Sequence, residues 1–213
     1  MVLNNYKKIL ILAPHTDDGE FGCGGTINKF INQGSEVFYA AFSACEQSVL
    51  PQFPKDILIS EVKKATNVLG IKGDNLILFN YDVRTFNYHR QAILDDMIRL
   101  KKNINPDVIF IPSLTDIHQD HATIANEALR AFKFDSILSY ELPWNNLNFS
   151  TSSFVFLDEL NVQKKVEALG KYKSQMHRTY ANEEFVRALA RTRGVQVNTQ
   201  YAEVFEVVRW ILK

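Results

Sequence analysis

The sequence predicts an α/β fold: Rossmann-like, with a mainly parallel sheet, helices on both faces and an irregular C-terminal elaboration. Three observations lead there. Short apolar runs alternate with helical patterns of about 10 to 16 residues through residues 1–140, the rhythm of right-handed βαβ units. The strongest runs, "KKILIL" and "PDVIFIP", are apolar throughout rather than alternating, as in strands covered on both faces. Both then end in clusters of acids and histidines, and open α/β sheets bind ligands beyond the carboxyl ends of their strands.

In chain order, residues 8–13 form the first strand and 25–33 the first helix, closed by Gly34 in a C-cap position. Residues 36–42 ("EVFYAAF") form a second strand. Residues 56–69 are an amphipathic helix with Gly70 just past its end. A short strand at 76–79 precedes a long helix at 88–103, with Ile93, Met97, Ile98 and Leu100 on one side. A buried strand lies between prolines at 106–112, then a helix at 121–132 and a strand at 136–140. From Pro143 the rhythm loosens, and "PWNNLNFSTSSF" reads as an Asn- and Ser-rich loop. Residues 158–172 and 183–193 look helical, and 201–209 alternates like a closing strand. No repeat or long linker interrupts the pattern, so 1–213 reads as one domain.

Composition narrows the function classes. Lys plus Arg equals Asp plus Glu at 24 each, so no bulk attraction to nucleic acid or an anionic membrane is implied. Cys23 and Cys45, the only cysteines, are too few for a disulfide scaffold or a cysteine-rich zinc site. The opening "MVLNNYKKILILAPHTDD" lacks a signal-peptide layout, because its apolar run is short and turns acidic at once. No run approaches the roughly 20 apolar residues that span a bilayer. The expectation is a cytoplasmic protein acting on a small molecule, with no nucleic-acid partner and no membrane insertion.

Two polar clusters carry the chemistry. "APHTDDGEFGCGGT" supplies His15, Asp17 and Asp18, and "TDIHQDH" supplies Asp116, His118, Asp120 and His121. Both follow strong strands, so both are expected at the same edge of the sheet. A phosphate loop would account for the glycines, but the spacing is "GCGG" and Asp17, Asp18 and Glu20 would repel a pyrophosphate. The glycines instead suit tight packing of the first helix against the sheet.

A metal site accounts for more. Catalytic zinc takes three protein ligands and leaves one position for water. His15 and Asp18, with one histidine of H-x-D-H, supply two nitrogens and an oxygen. Asp17, left beside the metal, suits a general base. A cationic His118 would stabilise a tetrahedral oxyanion or protonate a leaving amine, and Asp120 would hold one imidazole in the right tautomer.

A lone Asp or His after a strand is usually a cap or turn former. The joint pattern outweighs that reading: three of the five histidines lie in these two loops. His89 and His177 lack such context and read as surface or packing residues, and Cys23, between glycines, as a packing residue.

"PHTDDGE" followed by "GCGGT", with a distant "HQDH", resembles the PIG-L/LmbE-like zinc-dependent N-deacetylases, whose hallmark is H-P-D-D, a Gly-Gly turn and a later H-x-D-H. "SACE", "LPWNN", "YKSQ" and "YAEVFE" also look like family elements. The resemblance implies zinc (Fe2+ or Co2+ being alternatives at a His2Asp site) bound by His15, Asp18 and His121. It implies Asp17 as general base and His118 as the electrophilic or acid histidine, oriented by Asp120. It implies removal of acetyl from N-acetylglucosamine-type sugars, nucleotide- or lipid-linked among them, in glycoconjugate biosynthesis, and a trimeric or hexameric homo-oligomer. Glu46 and Arg84 fall where family members place substrate-contacting groups. Thr16 replaces the usual Pro, and Gly19 then Glu20 the usual Glu. Leu58 stands where the family often has an Arg three residues before the helix Glu, here Glu61, so substrate contacts should differ. Tyr140, Trp144 and Phe149 are expected near the mouth, suited to stacking on a sugar face. Two other functions fit the same residues: a non-catalytic, metal-containing carbohydrate-binding protein, and a metal-dependent deacylase or esterase of a longer acyl group.

Overall fold

The computed structural model describes residues 6–211, so the first residues of the N-terminal stretch read above lie outside it. Strands β1 (Lys8–His15), β2 (Glu36–Ser43), β3 (Leu76–Leu78), β4 (Val108–Pro112) and β5 (Ser136–Tyr140) pair in parallel. Strand β7 (Tyr201–Arg209) is antiparallel to β5, and β6 (Ser153–Leu157) is antiparallel to β7. Across the sheet the order is β3-β2-β1-β4-β5-β7-β6.

Helices cover both faces, which explains the unbroken apolarity of β1. Its Ile9, Ile11 and Ala13 enter the core shared with α1 (Asp18–Asn32), α2 (Ile57–Leu69) and α5 (Glu159–Leu169). Its Leu10 and Leu12 enter the opposite core, under α3 (Arg90–Ile104) and α4 (Gln119–Ala131). Helix α6 (Glu183–Gln196) packs against β7 and α5. The chain adds β2 and β3 on one side of β1, then crosses through α3 to place β4 on the other. The switch point therefore lies between β1 and β4, whose carboxyl ends carry the two polar clusters.

Helix α1 begins at Asp18, not at residue 25 as the glycines suggest, and holds Gly19, Gly22, Gly24 and Gly25 within it. Glycine weakens a helix by propensity, but close packing selects it here. A Cβ on Gly19 would lie 2.5 Å from the Tyr39 ring, and one on Gly22 2.3 Å from the Tyr140 ring. The helix kinks at Cys23 (φ −147°). At the restart, Glu203 of β7 accepts from the N–H groups of Gly25 (3.0 Å) and Thr26 (2.7 Å) and pairs with buried Lys165 at 2.7 Å. A carboxylate thus satisfies donors that the kink leaves without helical partners.

Other elements differ from expectation for local reasons. Strand β6 begins inside the stretch read as a loop, because its Ser- and Asn-rich approach masks a short edge strand. In α3 the buried stripe is Ile93, Leu94, Met97, Leu100 and Ile104, whereas Ile98 is 48% exposed, one helical step off that stripe. Helix α4 opens two residues earlier than expected, placing Asp120 and His121 in its first turn. Among the described residues, no helix is long and apolar enough to cross a membrane.

Candidate active site

His15 is the last residue of β1. Asp17 follows as the N-cap of α1, yet its side chain makes no capping hydrogen bond and so remains available to the cleft. Asp18 opens the helix. From the other side of the switch point, His118 is the N-cap of α4 and His121 lies one turn in. The two clusters, far apart in sequence, converge.

Their donor atoms form a tight triangle. His15 Nδ1 and His121 Nε2 are 3.1 Å apart, and Asp18 Oδ2 is 3.2 Å from each. Ligands about 2.0 Å from a tetrahedral metal are separated by about 3.3 Å, so the triangle matches one face of such a centre. Two imidazoles and a carboxylate are also the donor set for a borderline divalent cation. A wider grouping of His15, His118 and His121 spans up to 4.8 Å. His118 fits that grouping less well, because its Nδ1 accepts from the Asp120 N–H at 3.2 Å.

Each imidazole of the triangle has a carboxylate behind it. His15 Nε2 donates to Asp120 Oδ2 at 3.1 Å, and His121 Nδ1 donates to Asp116 Oδ2 at 2.8 Å. This sets the tautomers so that Nδ1 of His15 and Nε2 of His121 face inward with free lone pairs. The arrangement corrects one expectation: the Asp120 carboxylate orients His15, and only the Asp120 main chain holds His118. It also gives Asp116 a role that sequence reasoning missed. Asp116 stands five residues before His121, and only the turn preceding α4 aims it there.

The electrostatics separate the two neighbouring aspartates. Burial opposes charge on Asp18, but His121 and His15 outweigh it and hold the carboxyl well below the usual range. For Asp17, burial and then the Asp18 charge push the carboxyl up to about 6, partly offset by Arg178 and His15. One is suited to remain a charged ligand, the other to accept a proton near neutrality. His118 is lowered by burial and by His121 and His15. With Nδ1 accepting a main-chain hydrogen bond, its neutral form carries the proton on Nε2. Burial and the two neighbouring imidazoles thus disfavour the cationic form expected from sequence.

These residues line a cleft of about 260 Å³. Leu58 and Phe21 contribute apolar wall, and Trp144 stacks on Tyr180 with ring centroids 3.8 Å apart. Trp144 is thus at the mouth as expected. Tyr140 is not: it is fully buried under Gly22, and its hydroxyl donates to the Leu12 carbonyl at 3.0 Å. Phe149 is half-buried and does not line the cleft. Arg84 lines it, whereas Glu46, in a single 3-10 turn, does not. Asn145, Gln175, Arg178 and Tyr180 also line the cleft; the first two lie within "LPWNN" and "YKSQ", which were read only as family elements, and the last two went unnoticed in sequence.

Three smaller readings can be compared with the structure directly. No phosphate cradle exists in the glycine segment, since Tyr39 takes the Gly19 N–H and Glu203 those of Gly25 and Thr26. His89 and His177 are exposed and lie outside the cleft. Cys23 is fully buried, its thiol donating to the Gly19 carbonyl at 3.2 Å.

Comparison with known proteins supports the same region. The family model described as PIG-L, GlcNAc-PI de-N-acetylase, matches residues 10–132, which hold both clusters. The uncharacterized deacetylase YaiS of Escherichia coli (strain K12) is 30% identical over 183 residues, covering 80% of this chain and 93% of that protein. The solved N,N'-diacetylchitobiose deacetylase from Pyrococcus horikoshii superposes with a TM-score of 0.80 at 23% identity, over 96% of this chain and 84% of that one. GalB of Pseudomonas putida KT2440, a 4-carboxy-2-hydroxymuconate hydratase, shares the fold with a TM-score of 0.78 at 18% identity, over 97% of this chain and 98% of its own. The fold alone therefore does not decide the reaction, and the site must.

Proposed function

The chain belongs to the PIG-L family of de-N-acetylases, and on that premise we propose that it hydrolyses the acetamide of an N-acetylated amino sugar or its conjugate. The observation that carries this reading is the pairing of a free carboxylate, Asp17, with the adjoining His15–Asp18–His121 triangle. His15, Asp18 and His121 would hold the metal, with zinc as the first candidate. Bound there, zinc would supply Lewis acidity toward the acetyl carbonyl and lower the pKa of water.

The chain's own residues do the rest. Asp17 takes the proton from the attacking water and delivers it toward the departing amine. His118 donates its Nε2–H to the oxygen of the tetrahedral intermediate, where charge develops. Asp116 and Asp120 keep the two triangle imidazoles in their inward-facing tautomers. Trp144 and Tyr180 offer an aromatic wall to the sugar. The products are acetate and a free amine.

The test is acetate release from a panel of free, disaccharide and nucleotide-linked N-acetyl sugars. The proposal expects acetate and primary amine in equal amounts, abolished by a chelator and restored by zinc. No acetate from any member of the panel, or release indifferent to chelation, contradicts it.

A further inference from the structure

The closing strand β7 carries two carboxylates three residues apart, and each reaches a different element of the cleft. Residues three apart in a strand lie on opposite faces of the sheet. Glu203 faces α1, the helix that begins with Asp18 and carries Phe21, and accepts from Gly25 and Thr26 within it. Glu206 lies on the other face, paired in register with Ser139 of β5. Its Oε2 accepts from the hydroxyls of buried Ser113 and Ser139, each at 2.9 Å, and its Oε1 from the Ser150 N–H at 2.8 Å.

The three donors come from three segments. Ser139 belongs to the sheet, Ser113 leads from β4 into the turn that carries Asp116 and His118, and Ser150 ends the mouth loop, residues 142–150. Loop and turn are laced together. The Thr115 hydroxyl donates to the Asn148 carbonyl at 2.6 Å, and the Ile117 N–H to the Asn145 carbonyl at 3.2 Å. Asn145 Nδ2 donates to Asp116 Oδ2 at 3.4 Å. The loop has no helix, and its regular pairing is a single bridge from Asn146 to Asp116. It nevertheless sets Trp144 and Asn145 on the cleft, and a loop keeps such a geometry when side-chain hydrogen bonds lock it.

Glu206 itself does not line the cleft. We propose that Glu206 is a positioning residue: it fixes the mouth loop to the sheet so that Trp144 stands against Tyr180 and Asn145 beside Asp116, and it thereby sets how tightly the sugar is held. Its effect on the sugar rests on the deacetylase reading, whereas its effect on the loop does not.

Tryptophan emission reads the loop directly. Trp144 and Trp210 are the chain's two tryptophans, so Trp210→Phe leaves Trp144 as the sole emitter. In that background, Glu206→Ala should red-shift Trp144 emission and raise its quenching by acrylamide, with zinc still bound at one per chain. Glu206→Gln should restore both, because its amide oxygen can accept the Ser150 N–H while its NH2 donates to the serine hydroxyls. With N-acetylglucosamine as probe, Glu206→Ala should raise the KM for acetate release about tenfold and leave kcat within about twofold, the pattern of lost uniform binding. Ser113→Ala removes one of the three donors; it should shift the emission in the same direction, and it decides the matter if Glu206→Ala does not fold. Unshifted emission, a lower Tm without an emission change, a glutamine variant as impaired as the alanine one, or a fall in kcat at constant KM overturns the proposal. Absence of acetate release from every sugar contradicts the deacetylase reading instead, and leaves Trp144 emission to decide on Glu206.

Discussion

Asp120 Oδ2 lies 3.1 Å from His15 Nε2 across 105 residues of sequence, and the same oxygen accepts the Arg84 N–H at 2.6 Å. One buried carboxylate therefore ties the end of β1 to the loop after β3. Asp116 does the equivalent for His121 at 2.8 Å. Asp120→Asn and Asp116→Asn should each weaken zinc affinity about 10- to 100-fold by competition against a chelator. Wild-type affinity in both would remove these carboxylates from the account.

His118 separates the tight triangle from the wider three-histidine grouping. With its Nδ1 engaged by the Asp120 N–H, it is proposed as a donor and not a ligand. His118→Ala should lower kcat about 100- to 1000-fold while one metal per chain stays bound. Loss of metal in this variant would make His118 a ligand instead.

Most of the fold was legible because buried strands announce themselves. The runs ending at Ala13 and Pro112 are apolar on both faces, and their polar sequels lie at the switch point where α/β sheets place ligands. The glycine-rich start of α1 was not legible. The rings that demand glycine there, Tyr39 and Tyr140, come from β2 and β5, so the reason for a helix is tertiary. Tyr140 was misplaced for the same reason, since an aromatic at the carboxyl end of a strand looks like a mouth residue until Gly22 is seen beneath it. Arg178 and Tyr180 come from the irregular segment after α5, where no periodicity marks which side chains face the site.

The close approach of α1 to the sheet gives a stability test at Gly22. Alanine would gain helix propensity of about 1 kcal/mol, but its Cβ would sit 2.3 Å from the buried Tyr140 ring. Overpacking dominates, and Gly22→Ala should destabilise by about 1–3 kcal/mol net. Thermal unfolding should show a lower Tm; an unchanged or raised one would contradict the packing argument.

Behind the His15–Asp18 segment, Tyr39 and Tyr172 bridge the Thr16 carbonyl and the Glu20 carboxyl. The Tyr172 hydroxyl lies 2.7 Å from both acceptors, and Tyr39 lies 2.9 Å from the carbonyl and also contacts Glu20. Thr16 is the residue between His15 and Asp17, so this knot fixes the backbone that aims them. Tyr172→Phe removes a donor from a fully enclosed cluster and should cost about 1–3 kcal/mol in denaturant unfolding. Wild-type stability in that variant would mean the hydroxyl contributes nothing net.

The central claim is that Asp18 belongs on the metal and Asp17 beside it, although they are adjacent in sequence. Metal content and acetate release, measured together on Asp17→Asn and Asp18→Asn, test it most directly. Asp17→Asn should retain one metal per chain and lose turnover by about 100-fold or more. Asp18→Asn should lose the metal itself, since the amide cannot replace the charged oxygen of the triangle. Full turnover in Asp17→Asn, or loss of metal from it with retention in Asp18→Asn, would contradict the assignment.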